Sequence, residues 1–169
     1  MKYLPFLFLF NILAFCACDK SESNTDTNAS QAHKLEGKWT PVNMKITLKF
    51  SDGSTVNQTV PIKEGDYLEF VYQKTTGNKS EGSYKTRGVG FESTGMWRLE
   101  HSNNDLTFFS TATDGGNTEI YRKVESVTSN KLVLTADDRL VILWAEVNDL
   151  NQNETKKVTG GSAYEEYKK

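Results

Sequence analysis

An alternation of apolar and polar residues at positions 42–50 constrains the fold of this chain more than any other feature. Five apolar side chains alternate there with four polar ones. Because successive side chains of a β-strand point to opposite faces, such a run predicts a strand with one face in a core and the other in water. The Asp52-Gly53 pair that follows is typical of a tight hairpin turn. We therefore expect the folded part of the chain to begin with an antiparallel hairpin.

Segments of the same kind repeat along the rest of the chain. Turn residues, such as Asn103-Asn104 and Asp114-Gly115-Gly116, separate them. Residues 139–147 are apolar at nearly every position, which indicates a strand buried on both faces. No window has the pattern of a capped amphipathic helix. These features predict an all-β fold, an antiparallel up-and-down β-barrel of eight to ten strands, with a sandwich as the alternative. The predicted strands after the first are 55–62, 66–73, 82–87, 95–101, 105–111, 118–127, 131–136, 139–147 and 162–168.

The N-terminus carries a short apolar stretch behind a basic residue, Lys2. The stretch covers residues 3–15, too few to cross a bilayer as a helix, which takes about 20 residues. Phe15-Cys16-Ala17-Cys18 resembles a bacterial lipobox, in which a small residue precedes the cysteine that receives a diacylglycerol thioether. Cys18 fits this role better than Cys16, because Ala17 is small and Phe15 is not. Residues 1–17 are thus predicted to be a lipoprotein signal peptide; the alternative is an ordinary signal peptide cleaved elsewhere.

The segment after Cys18 is polar. Residues 19–32 are rich in Ser, Thr, Asn and Asp and contain no aromatic or large aliphatic side chain. Such a composition predicts a flexible tether. We therefore divide the chain into a signal peptide at 1–17, a lipidated cysteine and tether at 18–34, and one domain at 35–169. Two or three acyl chains would hold that domain to a membrane of the cell envelope, which we expect to be the outer membrane, on its periplasmic or surface face.

Composition excludes several classes of function. The net charge is −2, from 20 basic and 22 acidic residues that are interspersed, so nothing suggests nucleic-acid binding. Cys16 and Cys18 are the only cysteines, so the domain has no thiolate ligand or cysteine nucleophile. With His33 in the tether and His101 at a strand end, we expect no metal site, no cofactor and no catalytic residues. A hydrolase would require His101 to lie against a carboxylate and a hydroxyl in a cleft. We expect the protein to be a monomer.

Leu35-Glu36-Gly37-Lys38-Trp39 resembles the Gly-x-Trp start of lipocalin-like domains. Residues 95–108 and 124–134 are similar to later hairpins of that family, and the whole resembles the lipocalin-like lipoproteins of Bacteroidetes. The resemblance implies that Gly37 and Trp39 plug the narrow end of an eight-stranded barrel. In lipocalins an arginine from the last strand packs across this tryptophan. Here the corresponding strand offers only Lys168 or Lys169.

Aromatic residues are numerous in the predicted strands, and they suggest where a ligand could bind. The resemblance implies a non-enzymatic domain that binds a small apolar or amphipathic ligand in the mouth of the barrel. The alternative is a packed barrel whose loops contact a protein or a glycan. A ligand pocket would typically need about 300–1,000 Å³, whereas a packed barrel leaves almost none. The residues predicted to line the pocket, or else to fill the core, are Tyr67, Phe70, Tyr72, Trp97 and Phe108.

Overall fold

The computed structural model describes residues 22–88, 92–111, 117–147 and 156–169. The predicted signal peptide, Cys18 and the predicted turn at 114–116 lie outside the described residues. The described part of the chain forms nine antiparallel strands and two helices. The elements are α1 (Glu22–Leu35), β1 (Gly37–Phe50), β2 (Thr55–Thr59), β3 (Tyr67–Thr76), β4 (Lys79–Arg87), β5 (Ser93–Glu100), β6 (Asp105–Thr111), β7 (Asn117–Val127), β8 (Lys131–Ala136), α2 (Asp138–Val147) and β9 (Val158–Lys168).

The predicted fold class is confirmed, since eight of these strands close an antiparallel up-and-down barrel. Neighbours in sequence pair from β3 to β9, and β9 pairs with β1. The first residues of β1 complete the ring by pairing with β3, with Gly37 opposite Phe70 and Trp39 opposite Leu68. The remaining strand, β2, lies outside this ring and pairs with residues 45–49 in the second half of β1.

A β-bulge near the start of β1 sets which side chains face the interior. The register with β9 shifts between Pro41 and Asn43. An inserted residue reverses the alternation beyond it. In a regular strand Trp39 and Met44 would point to opposite faces, because their sequence numbers differ by an odd number. Here both point into the barrel. Val42, which the alternation places with the core residues, is 42% exposed instead.

The two ends of the barrel differ. The turns between β3 and β4, β5 and β6, and β7 and β8 lie at one end, where α1 packs against β3, β4 and β7; we call it the α1 end. The β1–β2 turn and α2 lie at the opposite end, the α2 end. Every residue of the two hydrophobic clusters lies between Ala32 and Tyr167, so both cores are built after the start of α1.

The prediction of a flexible tether up to residue 34 is wrong for residues 22–34, which belong to α1. Its Ala32 and Leu35 are fully buried against the barrel. Asn28 donates a hydrogen bond to the carbonyl of Gly77 in the β3–β4 turn (3.2 Å). The apolar surface that orders this polar segment belongs to distant strands, so local composition carries no sign of it.

The prediction of a buried strand at 139–147 is also wrong, since this segment forms α2. Val141 and Ala145, four residues apart, are fully buried, whereas Leu143 is 38% exposed. A short apolar run does not distinguish a buried strand from a helix by periodicity alone. Asp137 accepts a hydrogen bond from the amide of Arg139 through its side chain (3.4 Å), as residues that precede a helix often do.

Candidate ligand cavity at the α2 end of the barrel

Three of the five aromatic residues predicted to line a pocket pack together in the core, and none of the five lines the cavity described below. Phe70, Trp97 and Phe108 are fully buried in the α1 half of the barrel. The ring centre of Phe70 lies 5.8 Å from that of Trp97 and 5.8 Å from that of Phe108. Tyr67 is half-buried beneath the ammonium of Lys38, which lies 4.3 Å from its ring centre. Phe70, Trp97 and Phe108 fill this half of the interior, whereas Tyr67 alternates with the inward-facing Leu68 and lies on the outer face of β3.

Tyr72, the fifth of these aromatics, is half-buried at the α1 end. Its ring centre lies 4.1 Å from that of His33 in α1. Its hydroxyl donates a hydrogen bond to Thr75 (3.1 Å). Tyr72 therefore helps to hold α1 on the barrel.

Trp39 lies under α1 at the same end and is fully buried. Its indole N–H donates a hydrogen bond to the carbonyl of Leu35, the last residue of α1 (2.6 Å). The ammonium of Lys169 lies 4.6 Å from the ring centre of Trp39. Gly37, with a φ of +109°, turns the chain from α1 into β1.

A cavity of about 280 Å³ lies at the α2 end, between α2 and the inner faces of β1, β7 and β9. Its apolar side chains come from both the strands and the helix. On β1 and β9, alternation directs Met44 and Ala163 inward. The other main apolar lining residues are Ile46, Val60, Ile120, Leu140, Val141 and Trp144.

Two glycines at the start of β9 let α2 pack directly on the strand. A methyl group on Gly160 would lie 2.6 Å from the carboxylate of Asp138, and one on Gly161 would overlap the carbonyl of Thr47. The amide of Gly161 donates a hydrogen bond to that Asp138 carboxylate (2.7 Å). The first turn of α2 is thus fixed to β9, and this contact positions the helix over the cavity.

A buried ion pair forms the floor of the cavity. Arg122 Nε donates a hydrogen bond to Glu165 Oε2 (2.9 Å), and the two side chains are 2% and 4% exposed. The Tyr167 hydroxyl donates to the same carboxylate oxygen (2.9 Å). The guanidinium lies 5.3 Å from the ring centre of Phe108. Arg122 and Glu165 therefore separate the cavity from the aromatic core.

The surroundings of Arg122 in this floor favour its charged form. Burial alone would lower the pKa of Arg122, but the charge of Glu165 and the hydrogen bond to it outweigh burial and raise this pKa. Burial, together with the Glu165 carboxylate, raises the pKa of the Tyr167 hydroxyl well above its usual value. The Arg122 guanidinium is therefore held in its charged form, with a protonated Tyr167 hydroxyl beside it.

A second polar cluster lies at the α1 end, around His101. Its Nε2 lies 2.7 Å from the Ser80 hydroxyl and its Nδ1 lies 3.1 Å from the Gln31 side-chain oxygen. Burial lowers the pKa of His101, an effect that Glu100 partly offsets. Ser80 is fully buried and also contacts Thr75 (2.6 Å). The partner of Nδ1 is an amide rather than a carboxylate, so this cluster lacks the geometry that the hydrolase hypothesis requires.

Among the described residues, no group of three or more His, Cys, Asp or Glu side chains is placed to hold a metal ion. None of the helices in this part of the chain has the length and apolar character needed to cross a membrane. No family model and no curated protein matches this sequence.

The residues that form the cavity were not predicted from the sequence. Ile46 and Ala163 lie in segments predicted as strands, so their inward orientation follows from alternation. Val141 and Trp144 were assigned to a strand, and only the helix places them over the barrel mouth. The one signal of this site in the sequence was a pair of charged residues, Arg122 and Glu165, at inward positions of β7 and β9. Charged side chains rarely face a barrel core without a partner.

Proposed function

We propose that this protein is a membrane-anchored lipoprotein with a lipocalin-like barrel that binds a small apolar or amphipathic ligand, without catalysis, in the cavity beneath α2. The observation that carries the proposal is the cavity of about 280 Å³ in a barrel whose other half is densely packed. Protein interiors contain few voids larger than a water molecule. The cavity is partly open to solvent and lined mainly by apolar side chains, as small-molecule sites usually are. A space of this size is better explained as a binding site.

The size of the cavity limits the ligand. At about 30 Å³ for each water-sized group, 280 Å³ holds about nine non-hydrogen atoms. This volume is just below the range of about 300–1,000 Å³ that is usual for small-molecule pockets. The ligand class is therefore a short chain or a single ring rather than a long-chain lipid.

The packed half of the barrel supports the alternative proposal, a surface module whose loops contact a protein or a glycan. Phe70, Trp97 and Phe108 leave no comparable space around them. A module of this kind would not need the cavity, so filling the cavity separates the two proposals.

The anchor and the cavity are expected at opposite ends of the domain. Only three residues separate Cys18 from Glu22, the first residue of α1. At ~3.6 Å per residue, a fully extended chain from Cys18 to Glu22 spans at most about 15 Å. Lipidation of Cys18 would therefore hold the α1 end near the membrane, and the α2 end would face away from it. In this arrangement the ligand enters from the aqueous side.

The test uses a soluble fragment, residues 19–169, which contains all residues of both cores. Ala163→Leu would fill the cavity, whereas Ser162→Leu adds the same bulk at the neighbouring, exposed position of β9. Native mass spectrometry before and after organic extraction detects a co-purified ligand, and calorimetry with 1-octanol measures binding directly. We expect 1-octanol to bind to the unchanged fragment and to Ser162→Leu. In Ala163→Leu we expect its affinity to fall by at least about ten-fold. Binding that is absent, or equal in all three, would contradict the proposal.

A further inference from the structure

The ion pair in the cavity floor restricts the charge that the head group of a ligand can carry. Arg122 and Glu165 are the buried charged side chains of the described residues, and both line the cavity. Lys45 also lines it but is exposed at the rim. A ligand that enters with its polar group first therefore meets this pair.

The charges of the pair cancel. The guanidinium and the carboxylate lie within 2.9 Å of each other, so a group that contacts both experiences almost no net charge. An ionised ligand would bring a third charge into a buried site without a counter-ion, which is strongly unfavourable. A carboxylate would also compete with Glu165 for Arg122, and an ammonium would compete with Arg122 for Glu165.

An uncharged polar group has no such disadvantage. A hydroxyl or an amide can accept a hydrogen bond from the guanidinium and donate one to the carboxylate at the same time. The Tyr167 hydroxyl already donates a hydrogen bond to Glu165 (2.9 Å). The apolar walls, among them Ile46 and Trp144, then surround the rest of the ligand.

We propose that the cavity selects uncharged amphipathic molecules, a hydroxyl or an amide on an apolar chain or ring of about eight carbons, and excludes the corresponding carboxylates and ammonium ions. This inference rests on the proposed function, because it assumes that the cavity binds a ligand. It adds the chemical class of the head group and assigns its recognition to Arg122 and Glu165.

The first experiment compares octanamide, 1-octanol, octanoate and octylammonium by calorimetry with the 19–169 fragment at about pH 7.5, where the last two are ionised. Octanamide and octanoate have nearly the same shape and differ in charge. We expect the two neutral compounds to bind at least about ten-fold more tightly than either ion. Equal or tighter binding of octanoate would overturn the inference and leave the proposed function intact. Absence of binding by all four would overturn both.

The second experiment changes the charge of the floor. Glu165→Gln preserves the size of the side chain and leaves the positive charge of Arg122 without its counter-charge. The affinity for octanoate should then rise by at least about ten-fold, with little change for octanamide. Glu166→Gln is the matched control, because this neighbouring carboxylate faces away from the cavity and pairs with Lys131 (2.9 Å). If Glu165→Gln does not fold, the comparison of octanamide with octanoate in the unchanged protein still decides the question. If Glu165→Gln folds and its preference for octanamide over octanoate is unchanged, the role of the ion pair in recognising the head group is refuted.

Discussion

Replacing Arg122 by methionine removes one partner of the buried ion pair and keeps a side chain of similar length. The carboxylate of Glu165, 4% exposed, would remain in the barrel with the Tyr167 hydroxyl but without a counter-charge. Breaking a buried pair in this way typically costs about 3–5 kcal/mol. Coulomb's law gives about 4 kcal/mol for charges ~4 Å apart at an effective dielectric constant of ~20, which agrees with that range.

The chain contains a matched control on its outer surface. Arg98 Nε donates to Glu81 at 3.0 Å, and its guanidinium lies 5.1 Å from the ring centre of Phe109. This geometry nearly repeats that of Arg122, except that the Arg98 side chain is 41% exposed. Exposed pairs contribute about 0–1 kcal/mol, so Arg98→Met should cost far less than Arg122→Met.

The assay is urea denaturation of the 19–169 fragment at neutral pH and 25 °C, followed by far-ultraviolet circular dichroism. The double variant with Arg122→Met and Glu165→Gln removes both charges and keeps an acceptor for Tyr167. We expect it to recover most of the free energy of unfolding that Arg122→Met loses. A loss below about 1 kcal/mol in Arg122→Met, or equal losses in Arg122→Met and Arg98→Met, would refute the reasoning, because burial would then not determine the cost.

Two further predictions concern the positions of the helices. Gly161→Ala should lower the free energy of unfolding by about 2 kcal/mol or more, because the added methyl overlaps a backbone carbonyl of β1. A methyl group added at Gly53 would meet no atom within 4 Å, but the φ of +81° is unfavourable for alanine, so Gly53→Ala should cost about 1–2 kcal/mol. Urea denaturation midpoints compare the stability losses of the two variants. Equal losses would contradict the packing argument. Burial lowers the pKa of His101 below its usual 6.5, so the folded state favours neutral histidine. Its contribution to stability should be present above about pH 6.5 and decline as the pH falls below that value. His101→Gln should flatten this part of the stability curve, and an unchanged slope would exclude the histidine as its source.

Much of the barrel was predictable from local pattern. The alternation at 42–50 and the short turn-bounded segments after it identified most of the strands, because a half-buried strand requires a period of two. The bulge near Val42 was not predictable in this way, since one inserted residue changes which face is buried without changing the composition. The structure places the ammonium of Lys169 over the Trp39 ring, a contact that the sequence did not predict.

The two helices and the cavity show where local pattern was insufficient. Residues 22–34 were predicted to be a tether, because the surface that orders them lies on strands dozens of residues away. Phe70, Trp97 and Phe108, which were expected around a ligand, fill the packed half instead, because large rings also fill the interior of small barrels. The actual lining combines β1, β7, β9 and α2, which only the closed barrel brings together.

The sequence by itself determined the period of the strands, the turns between them and the absence of cysteine chemistry from the domain, because each of these depends on neighbouring residues. The tertiary structure decided that α1 seals one end, that α2 covers the other, and that Arg122 on β7 meets Glu165 on β9. These features depend on contacts between residues far apart in sequence. Their free energy comes from burial and pairing that exist only once the barrel has closed.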